Sequence, residues 1–110
     1  MEERLTIGLV EIVVLEDGKK HKAKVDTGAD SSSIDEKLVK SLGNKKIVSH
    51  KIIRSALGRD RRPTTMLEIE FQGIKFLEKF TISDRTNLQY KILIGKDILK
   101  KEGFIIDPRK

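Results

Sequence analysis

Turn signals cut this chain into short apolar runs, and that punctuation limits what it can fold into. Residues 5–15 are rich in β-branched side chains, Glu16-Asp17-Gly18 makes a hairpin turn, and residues 20–25 return as a partner strand. Residues 47–55 and 63–71 read as two strands around Ala56-Leu57-Gly58-Arg59-Asp60. Gln72-Gly73 makes a second turn before a strand at 74–82. A polar loop, 83–89, precedes a short apolar strand at 90–94 that Gly95 stops, and a last strand covers 104–106 before Pro108. Two stretches read as helix. One is 33–42, where Ile34, Leu38 and Leu42 fall on one face and Gly43 ends it; the other is 97–101. Runs this short, at hairpin spacing over 110 residues, predict one mainly β domain spanning residues 1–110, a small closed β-barrel with one or two short helices.

With no tryptophan and only 5% aromatic residues, the core must come mainly from Ile, Leu and Val. The absence of cysteine excludes disulfides and thiolate metal sites. His21 and His50 are the only histidines, far apart and outside any His-Glu-x-x-His pattern, so no metal site is expected. No cofactor is expected either, since the chain has no Gly-x-x-x-x-Gly-Lys loop to cradle phosphates. The acidic start, Met1-Glu2-Glu3-Arg4, does not read as a signal peptide, and no stretch approaches the ~20 apolar residues of a membrane helix. The expectation is a soluble, cytoplasmic protein. A net charge of +6 favours acidic partners, and the cations are dispersed apart from Arg59, Arg61 and Arg62.

The stretch "AKVDTGADSSSID", residues 23–35, carries the chemistry. Asp26-Thr27-Gly28 alone could be a turn, with Asp26 capping it and Gly28 at positive φ. It could also be half of a catalytic site. Peptide hydrolysis without metal needs water held between a base and an acid, and two adjacent carboxylates that share one proton supply both. The motif occurs once here, so a two-aspartate site requires a second chain, and a twofold homodimer brings Asp26 to Asp26. Ser31, Ser32 and Ser33 have no paired histidine to activate a nucleophile; they read as pocket wall and helix cap.

Together with "ILIGKDIL" downstream, these residues resemble the two signatures of retropepsin-like aspartic proteases. The pattern is most similar to a bacterial and archaeal retropepsin-like group labelled ATP-dependent zinc proteases. That group shares the blocks seen here as Ile7-Gly8…Glu11, "AKVDTGADSSSID", "RSALGRDRRP", "TISDRTNLQYKILIGKDIL" and "FIIDP". The likeness runs from about Leu5 to Pro108. It implies a retropepsin-like fold and an aspartic endopeptidase acting as a homodimer on peptide or protein substrates. Asp26, Thr27 and Gly28 would be catalytic, with Thr27 bonding across the pair. Ala29 and Asp30 would contact substrate, Lys96 would pair with Asp30, and Gly95 would support the loop. Lys96 stands where arginine is usual and lacks its bidentate fork.

Residues 53–65 fall where this family carries its flap, which makes Arg54, Gly58, Arg59 and Arg61 candidate substrate contacts. A flap with this many arginines reads either as a lid for acidic substrate or as a solvated hairpin whose charges discourage edge-to-edge aggregation. Two rival readings use the same charge. One is a dimer that binds acidic peptides without cutting them. The other is a basic β domain that binds nucleic acid, the poorer fit because Phe71, Phe76, Phe80, Tyr90 and Phe104 read as core rather than as a stacking platform.

Overall fold

The computed structural model describes residues 4–110; residues 1–3, part of the segment read for a targeting signal, lie outside them. The chain is mainly β, as expected, and its strands close on themselves. The first hairpin joins β2 (Val10–Val14) to β3 (Lys20–Val25) through the predicted turn at Gly18. The last long hairpin joins β6 (Gly58–Phe71) to β7 (Ile74–Ser83) through Gln72-Gly73. With β4 (Ser33–Asp35) and β8 (Ile92–Ile94), these strands run in the order β2-β3-β8-β4-β7-β6. A pairing of Val13 and Val14 with Phe71 and Glu70 then ties β6 back to β2 and closes the ring. Strand β5 (Ile47–Ser55) hangs on the outside of β6. Two short end strands, β1 (Thr6–Ile7) and β9 (Ile105–Ile106), pair in parallel with each other.

Alternation along the strands fills the ring. Val13, Ala23, Val25, Ile34, Leu67, Ile69, Phe71, Phe80, Ile92 and Ile94 are buried, so the core is aliphatic with two phenylalanines. Phe76 and Phe104 meet Phe71 edge to face at centroid distances of 6.0 and 5.6 Å, which fastens the C-terminal segment to the β6–β7 hairpin. No described helix is long and apolar enough to cross a membrane.

Two elements differ from the sequence reading. The predicted helix at 33–42 is a strand followed by a short helix, α1 (Glu36–Ser41). Ser33 and Ile34 pair with β7 on one side and β8 on the other, and Asp35 rather than a serine caps the helix by accepting from Lys37 N. The pleat buries Ile34 as effectively as a helical face would, so the Ile34, Leu38, Leu42 spacing fits both conformations. The turn predicted at residues 56–60 is only Ala56-Leu57, with Ser55 paired to Gly58, and β6 begins five residues early. Pro63 is tolerated inside β6 because β7 joins only at Thr64, leaving β5 as its single neighbour.

The arrangement that positions the site is a loop thrown over a strand end. Strand β8 is parallel to β3 and antiparallel to β4. The chain therefore leaves β3, crosses the end of β8, and descends on its far side as β4. The crossing segment is residues 26–32. Immediately after β8 come Gly95 and α2 (Lys96–Glu102).

Candidate active site

The crossing loop is held from below by backbone. Asp26 N donates to the Ile94 carbonyl at 2.8 Å, Lys96 N to the Ala29 carbonyl at 2.8 Å, and Thr81 N to the Ser32 carbonyl at 2.9 Å. Gly95 is required by this closeness. A Cβ there would stand 2.8 Å from the Ala29 oxygen and 2.9 Å from the Ser31 carbonyl carbon and oxygen, all backbone atoms.

Ser32, fully buried, locks the crossing. Its hydroxyl accepts from Gly95 N at 2.8 Å and donates to Asp97 Oδ1 at 2.7 Å, and its own N–H donates to the same carboxylate. Asp97 also accepts from Ile98 N at 2.8 Å, so one carboxylate joins the loop to the first turn of α2. The serine run thus divides: Ser31 and Ser33 face the cleft and Ser32 is an internal brace.

On this base Asp26 is partly exposed, and Thr27 and Gly28 are exposed. Asp26 Oδ1 accepts from Gly28 N at 2.9 Å, a turn-capping bond that also fixes the carboxylate, and Gly28 is not at positive φ. Asp30 and Lys96 form the ion pair expected of them, Oδ1 to Nζ 2.9 Å. The hydrogen bond and charge of Lys96 hold the Asp30 carboxyl below the usual range.

Beside the loop opens a cleft of about 500 Å³. Its floor is Ala29, Asp30, Ser31, Ser33, Thr81 and Leu93, and its other wall is Lys51, Ile52, Ile53, Arg54 and Arg62 of the β5–β6 hairpin. Among the expected substrate contacts, Ala29, Asp30 and Arg54 line this cleft. Gly58, Arg59 and Arg61 do not; they are exposed, farther out along the hairpin or on its other face. Arg61 lies opposite Ile52 and Arg59 opposite Arg54, whereas half-buried Arg62 lies opposite half-buried Lys51. The hairpin's cleft-side cations are therefore Lys51, Arg54 and Arg62.

The sequence reading did not single out Arg85. It belongs to a polar loop and gave no signal of its own. The β4–β7 pairing draws that loop across Asp35, whose Oδ1 accepts from Arg85 N at 2.7 Å. Arg85 lines the cleft, Nε donating to the Tyr90 carbonyl at 2.9 Å and Nη1 to Ser33 Oγ at 3.3 Å. Burial lowers its pKa, and the charges of Asp35 and Asp26 oppose that shift.

The zinc named in the label of the resembling group finds no donor set here: among the described residues no three His, Asp or Glu side chains are grouped to hold a metal ion.

Solved structures share this fold. A Legionella pneumophila protein of unknown function (DUF785) superposes with a TM-score of 0.72 at 21% identity, over 98% of this chain and 96% of its own. The EIAV protease in complex with the inhibitor HBY-793 gives 0.67 at 22% identity, over 94% and 92%. The simian foamy virus protease gives 0.64 at 20% identity, over 83% and 91%. At these identities the likeness carries the fold, which is retropepsin-like. Among curated proteins none matches the chain in sequence. The sequence profile of the family described as "gag-polyprotein putative aspartyl protease" matches residues 12–101, most of the chain, and the chain belongs to that family.

Proposed function

We propose that the chain is an aspartic endopeptidase whose active site is completed by a second copy. The observation that supports this most is the single Asp26-Thr27-Gly28, braced rigidly from below while Thr27 and Gly28 stay exposed beside an open cleft. A braced carboxylate flanked by uncovered small residues is what a twofold partner would cover. Two Asp26 side chains across that axis share one proton, since both cannot ionise cheaply side by side. The ionised one takes a proton from water as its oxygen attacks, and the protonated one donates to the substrate carbonyl oxygen; as the tetrahedral intermediate collapses, the proton taken from water passes to the leaving amine nitrogen and the other carboxylate regains its proton from the diol hydroxyl. Thr27 bonds across the axis and steadies the two loops. Asp30, held by Lys96, meets the substrate backbone, and the β5–β6 hairpin acts as the flap. The chain ends add to the interface: β1 and β9 pair with each other, and Leu9 and Ile105 beside them are about half exposed. Kinship with the bacterial and archaeal retropepsin-like group and a cytoplasmic location belong to this reading. It needs no metal or cofactor.

Asp26→Asn tests it, because the change removes the shared proton pair and almost no volume. Digestion of a peptide library should fall by about 10²–10⁴-fold while dimer and fold persist. Measurement of a monomer at micromolar concentration, or unchanged cleavage by the variant, would sink the proposal. Binding of peptides by the wild type with no cleavage would make the chain a peptide-holding dimer instead.

A further inference from the structure

The cleft has an uneven charge. Among the described residues, Lys51, Arg54, Arg62 and Arg85 line it against one carboxylate, Asp30, and that carboxylate is already committed to Lys96. Arg62 has Asp60 at 3.0 Å. Among the described residues, neither Lys51 nor Arg85 has a carboxylate oxygen within 4.0 Å of its charged nitrogens.

Arg85 is the most informative of the four. Its backbone is pinned at both ends, N to Asp35 and the carbonyl to Lys91 Nζ at 2.8 Å. Its half-buried guanidinium bonds only neutral oxygens, those of Tyr90 and Ser33, and Nη2 makes no hydrogen bond among the described residues. A guanidinium taken partly out of water with no carboxylate in direct contact, only the more distant charges of Asp35 and Asp26, is costly, and its planar fork suits a carboxylate. On the opposite wall Lys51 and Arg62 are direct cross-strand partners, a like-charge pairing that destabilises a hairpin. Outward cations such as Arg59 and Arg61 guard an exposed edge. That account does not reach cations that face a cavity.

From this arrangement we infer that the cleft takes acidic peptides, with Asp or Glu close to the scissile bond and one of those carboxylates seated on Arg85. The inference rests on the peptidase reading of Asp26 for the word scissile, and on the cleft alone for the acidic ligand. A peptide fits better than nucleic acid. Among the described residues no aromatic side chain lines the cleft to stack a base, and Asp30 would repel a continuous phosphate backbone.

The test compares fluorescein-labelled decapeptides that carry either Glu or Gln on both sides of a Leu-Phe bond. Affinity for the Asp26→Asn protein is read by anisotropy, and cleavage by wild type is followed in parallel. The Glu peptide should bind ~10-fold more tightly. That gap should shrink several-fold as salt rises from about 0.05 M to about 0.5 M. Arg85→Gln on the same background should close most of the gap, and Arg85→Lys should restore part of it. Should Arg85→Gln not fold, the Lys51→Gln, Arg62→Gln pair carries the test, with a loss of about two- to threefold in the gap. Equal affinity for the two peptides, or faster wild-type cleavage of the Gln peptide, overturns the inference and leaves the peptidase reading standing. Selective binding of the Glu peptide with neither peptide cut supports the inference and removes the peptidase reading. A single-stranded RNA 12-mer (about 12 nucleotides suffices to span such a groove) that binds more tightly than the Glu peptide, in an Arg85-dependent way, overturns it.

Discussion

Beneath the floor of the cleft, around Gly95, the polar groups are paired: Ser32 hydroxyl, Asp97 carboxylate, Ala29 carbonyl and Lys96 N–H form one connected set. In the β5–β6 hairpin above it, Leu57 stands fully exposed at the turn, and Arg54, Arg59 and Arg61 are exposed to water. The same strands serve both regions, since β6 runs from the tip of the hairpin into the core at Leu67, Ile69 and Phe71. What changes along it is the number of neighbours: β5 alone at Arg59, β5 and β7 at Thr64, β7 and β2 at Phe71. The crossing loop beneath Asp26 is thus tied by several partners, and the hairpin tip by one neighbouring strand.

Gly95→Ala should break the floor most severely. The added methyl meets three backbone atoms at 2.8–2.9 Å, none of which can swing aside as a side-chain tip would. A loss of at least about 3 kcal/mol, or failure to fold, is expected in urea titration. Stability equal to wild type would show that the crossing loop slides, and the contrast with the hairpin would collapse.

Ser32→Ala should come next. It strips a buried N–H of Gly95 of its acceptor and removes a donor from Asp97, at a cost of about 2–3 kcal/mol. Peptidase activity should fall more steeply than stability, because the Asp26 loop loses its brace. A stability loss with unchanged kcat would confine Ser32 to folding.

The packing of α2 on β7 should also sense pH. Glu78 lies on β7 beneath α2, 1% exposed, with Lys101 Nζ at 2.6 Å and Glu102 nearby. Burial, aided by Glu102 and opposed by Lys101, pushes its pKa up to about 7. The folded chain then holds this proton more tightly than the unfolded chain does. The contribution is full below the ordinary glutamate range near 4.5, declines as pH rises, and is lost above about 7. Thermal denaturation should show stability falling on the order of 1–2 kcal/mol from pH 5 to 8, and Glu78→Gln should flatten that slope. A slope that survives in Glu78→Gln belongs to another group.

How far the sequence revealed all this depended on range. Asp26, Gly28, Gly95 and Lys96 were legible because each sits in a short block with its own local signal. The Asp30–Lys96 pair follows once those blocks are brought together. Ser33 to Asp35 were misread as helix because apolar residues four apart satisfy a pleat as well as a turn of helix when the partner strands are out of view. Arg85 was invisible for the same reason: only the non-local β4–β7 pairing brings its loop to the cleft. The hairpin's facing was lost to turn length. A five-residue turn leaves the register open, and a slip of one residue sends each side chain to the opposite face.

That register frames the smallest and sharpest expected effect. Arg59 and Arg61 were the flap cations most conspicuous in the sequence, yet they are exposed and outside the cleft lining, while Lys51 and Arg62 border it. Replacing Arg59 and Arg61 together with Gln removes a like-charge pairing with Arg54 and disturbs no described ion pair. Stability should therefore move by no more than ~0.5 kcal/mol, in the stabilising direction if at all, as read by urea midpoint. The preference for Glu over Gln peptides should fall by less than about twofold, the residue of long-range attraction that salt already screens. Replacing Lys51 and Arg62 should reduce it more at equal change in net charge. Because both pairs lie on one hairpin and remove two charges each, net charge alone predicts equal losses. Equal losses would thus mean that the hairpin attracts acidic ligands as a diffuse field, and that the face each arginine occupies has no bearing on what the cleft selects.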